Sequence, residues 1–201
     1  MDATNLLKRP ATIGIDGETV MEERKSNNFV RNGRVYILGD FDDTISRYVV
    51  PDMIELVGLI SGTKDAVIPV FINSPGGEAD KLQSILSVFS LARQHGIKIS
   101  TYNIGVAYSC GSLLAVSGDM RFMAAGARNM MHLGQTTTIN STYEQLKRNT
   151  KDAREFFDDI VSIYAERTKL SPKKIREILN DDMYWMNSKE CLKAGLCDAI
   201  I

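Results

Sequence analysis

The stretch AVIPVFINSPGGEADKLQSILSVFSLA, residues 66–92, decides the fold of this chain. Residues 66–72 form a near-continuous apolar run of strand length, which is typical of a strand buried on both faces of a largely parallel sheet. After the turn that follows, four apolar residues recur at helical spacing: Leu82, Ile85, Leu86 and Phe89. Gly96 then ends the helix. The stretch therefore predicts one strand and one helix, joined by the tight turn Pro75-Gly76-Gly77.

Strands and helices alternate on both sides of this unit. Short strands are predicted at four further places: 35–39, 97–103, 120–125 and 129–133. A helix is predicted at 45–60, and Pro51 should kink it. The segment GVAYSCGSLLAVS, residues 105–117, forms a corner and a further helix. Strands and helices joined by short links in this order indicate βαβ units with right-handed crossovers, so the fold class is α/β.

The pattern changes after His132. STYE fits a capping box, and the apolar spacing beyond it predicts a helix at about 141–168, or about 38 Å of helix at 1.5 Å per residue. The first half of this helix is mostly polar, so we expect it to leave the body of the protein. A second helix beginning at Ser171, an edge strand DDMYWM at 181–186 and a small helix that ends at Gly195 complete the chain.

Composition and charge limit the classes of function. The chain has 201 residues, of which 44% are hydrophobic, and its formal net charge is −1. It therefore has enough apolar residues for one globular domain, and it lacks the basic surface that general binding of nucleic acid or anionic lipid needs. Residues 1–33 are polar and without periodicity, as in a mobile arm, gate or propeptide, and residues 34–201 form the domain.

The cysteines and the absence of a long apolar segment predict the compartment. Cys110, Cys191 and Cys197 are odd in number, lack CxxC spacing and follow no signal sequence, so we expect reduced thiols in a cytoplasmic protein. The most apolar candidate span, residues 45–60, carries charged residues and cannot cross a bilayer. We therefore expect no membrane partner.

Ser109 lies at the predicted corner between strand and helix, where two interpretations compete. A serine at such a corner commonly caps the helix. It acts as a nucleophile only where a base lies within hydrogen-bond reach and donors await the oxyanion. Of the two histidines, His95 precedes Gly96 in the last turn of a helix, where it favourably meets the negative end of the dipole. His132 lies near the end of a predicted strand, so it is either a base at the sheet edge or a buried histidine bonded to a carbonyl.

Two backbone N–H groups are candidates for an oxyanion hole. The turn at Pro75-Gly76-Gly77 follows a buried strand and lets an N–H point at a substrate oxygen, although such a sequence is also an ordinary turn. The N–H of Cys110 directly follows Ser109 at a helix N-terminus. Together Gly77 and Cys110 would supply two donors, each worth about 3–4 kcal/mol to an acyl-transfer transition state.

Three segments in this order carry a family resemblance: INSPGGEADKLQSILSVFSLA, GVAYSCGSLLA and MMHLG. They resemble the proteolytic subunits of Clp proteases, self-compartmentalising serine endopeptidases with a crotonase-like fold, a βαβ superhelical body and a protruding helical handle. The resemblance covers about residues 34–201, with the handle at about 141–168. It implies Ser109 as nucleophile, His132 as general base, and the N–H groups of Gly77 and Cys110 as oxyanion hole.

The resemblance also implies partners. Two stacked seven-membered rings, built from this chain alone or mixed with paralogous subunits, would enclose a proteolytic chamber. An ATP-dependent AAA+ unfoldase would dock at the ring face and feed unfolded polypeptides through a pore lined by the N-terminal segment. Because the unfoldase uses the ATP, we expect no cofactor and no metal in this chain, which would serve protein quality control in the cytoplasm.

The sequence departs from the family pattern at the third member of the triad. Counting back without gaps from Gly195 places Met183 where the family has its aspartate. We predict that Asp182 takes this role through a one-residue bulge in the edge strand, with Asp181 as the next choice and a Ser–His dyad as the alternative. His132 is followed by Leu133-Gly134 rather than the usual Gln-Pro, which could alter the edge that binds substrate.

Other functions remain open at this stage. Enoyl-CoA-handling enzymes share the fold but need acid and base carboxylates, and signal peptide peptidases share it but use a lysine base and a membrane anchor. A third alternative is a catalytically weak or inactive ring subunit that assembles with active paralogues and modulates them. Met183 motivates that alternative.

Overall fold

The computed structural model describes residues 30–134, 143–181 and 183–201, which form one eight-stranded sheet and its surrounding helices. The strands are β1 Val30–Arg31, β2 Arg34–Leu38, β3 Val67–Ser74, β4 Lys98–Tyr108, β5 Met120–Met123, β6 Arg128–Met131, β7 Tyr184–Asn187 and β8 Ala199–Ile200. The α-helices are α1 Val50–Ile60, α2 Ala79–Gln94, α3 Cys110–Val116, α4 Tyr143–Arg167, α5 Pro172–Asn180 and α6 Ser188–Ala194. The predicted α/β class and the predominantly parallel sheet are confirmed.

The sheet divides along its longest strand. Its main path runs β1-β2-β3-β4-β5-β8, and all pairs on this path except β1–β2 are parallel. The first half of β4 pairs with β5, whereas its second half pairs with β6, which in turn pairs with β7 in antiparallel fashion. The end of β4 and the end of β6 therefore lie side by side, and both lead into the segments with the predicted site residues.

One face of the sheet holds the hydrophobic core and the other is only partly covered. In β3, Ile68, Val70 and Ile72 are fully buried, while Val67 is 37% exposed and Phe71 is half-buried. The prediction that 66–72 is buried on both faces is therefore wrong for the single chain. The second face instead carries a row of stacked rings from Tyr36, Phe71, Tyr102 and Phe122, with centroids 4.8–5.4 Å apart. This row explains why the apolar pattern does not alternate.

The predicted helix at 45–60 changes type at its proline. Residues Ile45–Val49 form a π-helical turn, and α1 begins at Val50 with Pro51 in its first turn. A proline in a helix interior lacks an N–H donor and clashes with the carbonyl four residues earlier, whereas the first turn tolerates both effects. Pro51 thus lies just after a change of helix type, and the kink itself stays a prediction.

The long helix α4 has 25 residues and packs on the body through its C-terminal half, where Ile160, Val161 and Tyr164 are buried. Its last carbonyl, that of Arg167, accepts a hydrogen bond from the guanidinium of Arg121. Whether the first half leaves the body stays a prediction.

The division at residue 33 between arm and domain also stays a prediction. Residues 1–29 lie outside the described residues, and Val30–Arg31 already pairs with β2. No helix in the described part of the chain is long and apolar enough to cross a membrane.

Candidate active site

Ser109 occupies a strained corner between β4 and α3. Its backbone has φ 53° and ψ −121°, and it is one of three non-glycine residues with positive φ in the described ranges. A side chain resists this region because its Cβ crowds the backbone, so such a residue needs surrounding structure to hold it. Its side chain makes no capping hydrogen bond to α3. The capping interpretation of Ser109 is therefore wrong, and its role as a nucleophile stays a prediction.

The corner is held by the turn after β3 and by β6. A Cβ placed on Gly76 would lie 2.7 Å from the Cβ of Ser109 and 2.8 Å from the carbonyl oxygen of Tyr108. Only glycine allows this approach, and its own φ of 102° favours glycine as well. From the other side, the N–H of Ser109 donates to the carbonyl of Met130 at 3.0 Å. The Pro-Gly-Gly turn, the corner and the strand leading to His132 are thus joined directly.

The N–H groups of Gly77 and Cys110 are left free beside this corner. Phe41 holds the turn by donating to the carbonyl of Gly76 and accepting from the N–H of Glu78, each at 2.8 Å. Within the described residues, neither the N–H of Gly77 nor that of Cys110 has a hydrogen-bond acceptor. Two unpaired donors at the cleft that holds Ser109 are what an oxyanion hole requires.

The thiol of Cys110 ties the two donor segments together. Its Sγ donates to the carbonyl of Gly77 at 3.2 Å. Burial raises the pKa of the Cys110 thiol above its ordinary value, so the group stays protonated and keeps its hydrogen at neutral pH. Cys110 therefore acts here as a small buried donor, not as a thiolate.

His132 follows β6 and lies in the same cleft as Ser109, Gly77 and Cys110. The cleft has a volume of about 820 Å³. No hydrogen bond joins His132 to Ser109 among the described residues, so the arrangement brings the two side chains to one cavity without the aligned contact of a working pair.

His95 has a different place. It is the C-cap residue of α2, and its Nδ1 lies 2.9 Å from the hydroxyl of Ser61. It does not line the cleft. The structural interpretation of His95 agrees with this position.

Residues 18–201 match the family model described as Clp protease. The chain belongs to the Clp protease family. It is also 32% identical to the ATP-dependent Clp protease proteolytic subunit of Deinococcus radiodurans over 149 residues, which are 73% of this chain and 71% of that protein. The predicted resemblance is confirmed, and with it the crotonase-like fold of the family. This assignment separates the chain from the enoyl-CoA-handling enzymes and signal peptide peptidases left open by the sequence.

Three neighbouring residues of the chain bear on the family's acidic triad member: Asp181, Asp182 and Met183. Asp182 lies outside the described residues, so its role stays a prediction. In the antiparallel pair of β6 and β7, Met131 lies opposite Tyr184, and the same register continued by one residue puts Met183 opposite His132. Directly opposite residues share a face of the sheet. Asp181 caps the end of α5 and does not line the cleft.

Helix α4 supplies one wall of the cleft in this Clp-family chain, which sequence reasoning did not foresee. Four of its residues lie at helical spacing along that wall: Ala153, Phe156, Ile160 and Tyr164. The periodicity of these positions was visible in the sequence, but it does not say what the stripe faces. Leu133 and Gly134, which replace the family's usual Gln-Pro, also line the cleft.

Proposed function

We propose that this chain is a serine endopeptidase, the proteolytic subunit of a self-compartmentalised Clp-type protease. The observation that carries the proposal is the strained Ser109 at the start of α3, in a cleft shared with His132 and with the N–H groups of Gly77 and Cys110, which have no acceptor in the described part of the chain. A serine that only capped a helix would need neither the positive φ nor the free donors. Membership of the Clp protease family supports the same reaction.

The proposed mechanism assigns one task to each group. The Oγ of Ser109 attacks the scissile carbonyl carbon while His132 takes the hydroxyl proton, and the N–H groups of Gly77 and Cys110 stabilise the oxyanion. His132 then gives the proton to the leaving amine, and water hydrolyses the acyl-enzyme by the same route. Asp182 orients the His132 ring in this proposal. Because the structure shows no Ser109–His132 hydrogen bond among the residues it describes, the ring must move into line with Ser109 before the reaction.

The proposed assembly is two stacked heptameric rings that enclose the active sites, as a homotetradecamer or mixed with paralogous subunits. Unfolded polypeptides would be delivered by a Clp-type AAA+ unfoldase in the cytoplasm. That partner would consume the ATP, so the chain itself would need no cofactor and no metal. The printed name of the Deinococcus relative, an ATP-dependent proteolytic subunit, supports this arrangement.

A fluorophosphonate probe tests the mechanism because it reacts only with an activated hydroxyl. We expect the intact mass of the purified protein to rise by one adduct, located on Ser109. Ser109→Ala and His132→Ala should each abolish labelling and reduce peptide hydrolysis by roughly 10³-fold or more, and the double variant should be hardly worse, because the two residues act as a unit. Independent, multiplicative losses would contradict the proposed pair. The same spectra would show whether residues near the N-terminus are removed.

A second candidate function is a catalytically weak or inactive ring subunit that assembles with active paralogues and modulates them. The β6–β7 register ends with Met131 opposite Tyr184, and continued by one residue it would put Met183 opposite His132. This favours the second candidate, because a methionine cannot accept the ring N–H as a carboxylate does. This candidate predicts no labelling of Ser109 in the isolated protein and a change in the activity of an active paralogue after mixing. Labelling of the isolated protein would exclude it.

A further inference from the structure

Three buried polar side chains link the long helix α4 to the two elements that carry Ser109 and His132. The hydroxyl of Tyr164 on α4 donates to the Oγ of Ser112 on α3 at 2.8 Å. The hydroxyl of Ser112 donates in turn to the Oδ1 of Asn129 on β6 at 3.0 Å. The exposed fractions of Tyr164, Ser112 and Asn129 are 2%, 0% and 2%. We call these three hydrogen-bonded residues the Tyr164–Ser112–Asn129 series.

The Tyr164–Ser112–Asn129 series contacts the backbone segments next to Ser109 and His132, the proposed catalytic pair. Ser112 follows Ser109 by three residues, and its N–H donates to the carbonyl of Ser109 at 2.9 Å. Asn129 precedes His132 by three residues, and its neighbour Met130 accepts the N–H of Ser109 at 3.0 Å. A displacement of α3 against β6 would therefore change the separation of the nucleophile and the base.

The hydroxyl of Tyr164 has no packing role that a phenylalanine could not fill. The ring lines the cleft and packs in the core, while among the described residues the oxygen bonds the hydroxyl of Ser112 alone. A buried hydroxyl without a hydrogen-bond partner lowers the stability of the fold. A buried series of polar side chains becomes rigid when each of them has its hydrogen-bond partners. Burial also raises the pKa of the Tyr164 hydroxyl, so it remains a donor at neutral pH.

We infer that the Tyr164 hydroxyl is a positioning group that holds α3 and β6 at the separation needed by Ser109 and His132. The inference rests on the proposed function of these two residues as a catalytic pair. Without the hydroxyl, Ser112 loses the donor that fixes its rotamer, and its bond to Asn129 is no longer held in one geometry. Ser109 and His132 then sample unproductive separations, and a misplacement of this kind slows the chemistry rather than weakening substrate binding.

The test compares two variants within the Tyr164–Ser112–Asn129 series with a matched control, all in the assembled, full-length protein. Tyr164→Phe removes only the phenolic hydroxyl. Ser112→Ala removes the hydroxyl in the middle of the Tyr164–Ser112–Asn129 series. Thr101→Val is the control, because it removes an equally buried hydroxyl that bonds to Ala115 O, at the other end of α3, at 2.7 Å. We expect Tyr164→Phe to lower kcat and the rate of fluorophosphonate labelling about tenfold with KM unchanged, and the double variant to lose no more than Ser112→Ala alone.

The outcomes are separable from those of the proposed function. If the parent protein is labelled and Tyr164→Phe behaves like Thr101→Val, the hydroxyl is only structural and the inference is refuted. If the parent protein never reacts with the fluorophosphonate, the proposed function fails. The inference is then decided by NMR alone, from the ring signals of His95 and His132 in protein that carries isotope-labelled histidine. A shift of the His132 signals in Tyr164→Phe, with those of His95 unmoved and no such shift in Thr101→Val, supports positioning. Unchanged His132 signals refute it.

Discussion

Gly76→Ala is the most direct test of how the Ser109 corner is built. The added Cβ would lie 2.7 Å from the Cβ of Ser109 and 2.8 Å from the backbone oxygen of Tyr108. The first distance is about 0.7 Å shorter than the 3.4 Å at which ordinary van der Waals contact begins. Because one of the two obstacles is backbone, the turn and the corner must separate to admit the methyl group.

The expected cost has two parts that a control can divide. The positive φ of 102° at Gly76 strains any L side chain by about 1–2 kcal/mol, and overpacking adds about 1–3 kcal/mol. Gly62 has a φ of 77° with nothing within 4 Å of its Cβ position, so Gly62→Ala incurs only the first cost. We expect the free energy of unfolding to fall by about 1–2 kcal/mol in Gly62→Ala and by about 2–5 kcal/mol in Gly76→Ala.

Urea unfolding and the rate of fluorophosphonate labelling measure the two consequences. Gly62→Ala should label at the parental rate, whereas Gly76→Ala should label about a hundredfold more slowly, because a shift approaching 1 Å misplaces both the nucleophile and the neighbouring N–H donors. Equal unfolding free energies for the two variants, together with parental labelling of Gly76→Ala, would show that the close approach does not shape the corner.

Three further predictions concern the acid, acid stability and assembly. If Asp182 orients His132, Asp182→Asn should preserve folding and assembly but lower turnover by up to about 10⁴-fold. Unchanged turnover in Asp182→Asn, with faster turnover in Met183→Asp, would instead place Met183 at the position of the acidic triad member. Hydrogen bonds from the guanidinium of Arg121 hold the pKa of Asp198 below its ordinary value, so the stability that Asp198 contributes is present above that value and is lost as the pH falls through the lowered pKa. The loss of stability between about pH 7 and about pH 3, measured by urea unfolding, should therefore be smaller in Asp198→Asn. We expect the polar first half of α4 to meet the other ring, so charge reversal at Lys147 and Arg148 should weaken ring–ring association in a salt-sensitive way. Unchanged sedimentation in low salt would count against this placement of the helix.

Local chemistry made several elements predictable. A run of apolar residues, a proline and two glycines, and a helical stripe specify β3, the turn and α2 because each signal acts over a few residues. The small helix α6 is similarly local, with Asn187 as its cap and Gly195 in the left-handed conformation at its end. The order of these units was enough to predict a parallel α/β sheet.

The sequence could predict which residues belong to the candidate site, but not their backbone conformation or contacts. The segments around Gly77, Ser109, Cys110 and His132 were recognisable as a set, and all four residues line one cleft. Ser109 remained ambiguous, because a capping serine and a nucleophile elbow have the same neighbours in sequence. The missing capping bond excludes the side-chain cap, while the role of Ser109 as nucleophile stays a prediction.

By itself the sequence determined the α/β class, the alternation of strands and helices and the family, because periodicity, turn residues and ordered motifs are local properties of the chain. Only the tertiary structure decided the positive φ of Ser109, the fit of Gly76 against it, the register that pairs Met131 with Tyr184, and the meeting of Tyr164 with Ser112. Each of these joins residues that are distant in sequence or depends on a neighbouring element to hold a strained conformation. Such contacts follow from the order and register of the strands and from close packing, which act across the whole domain.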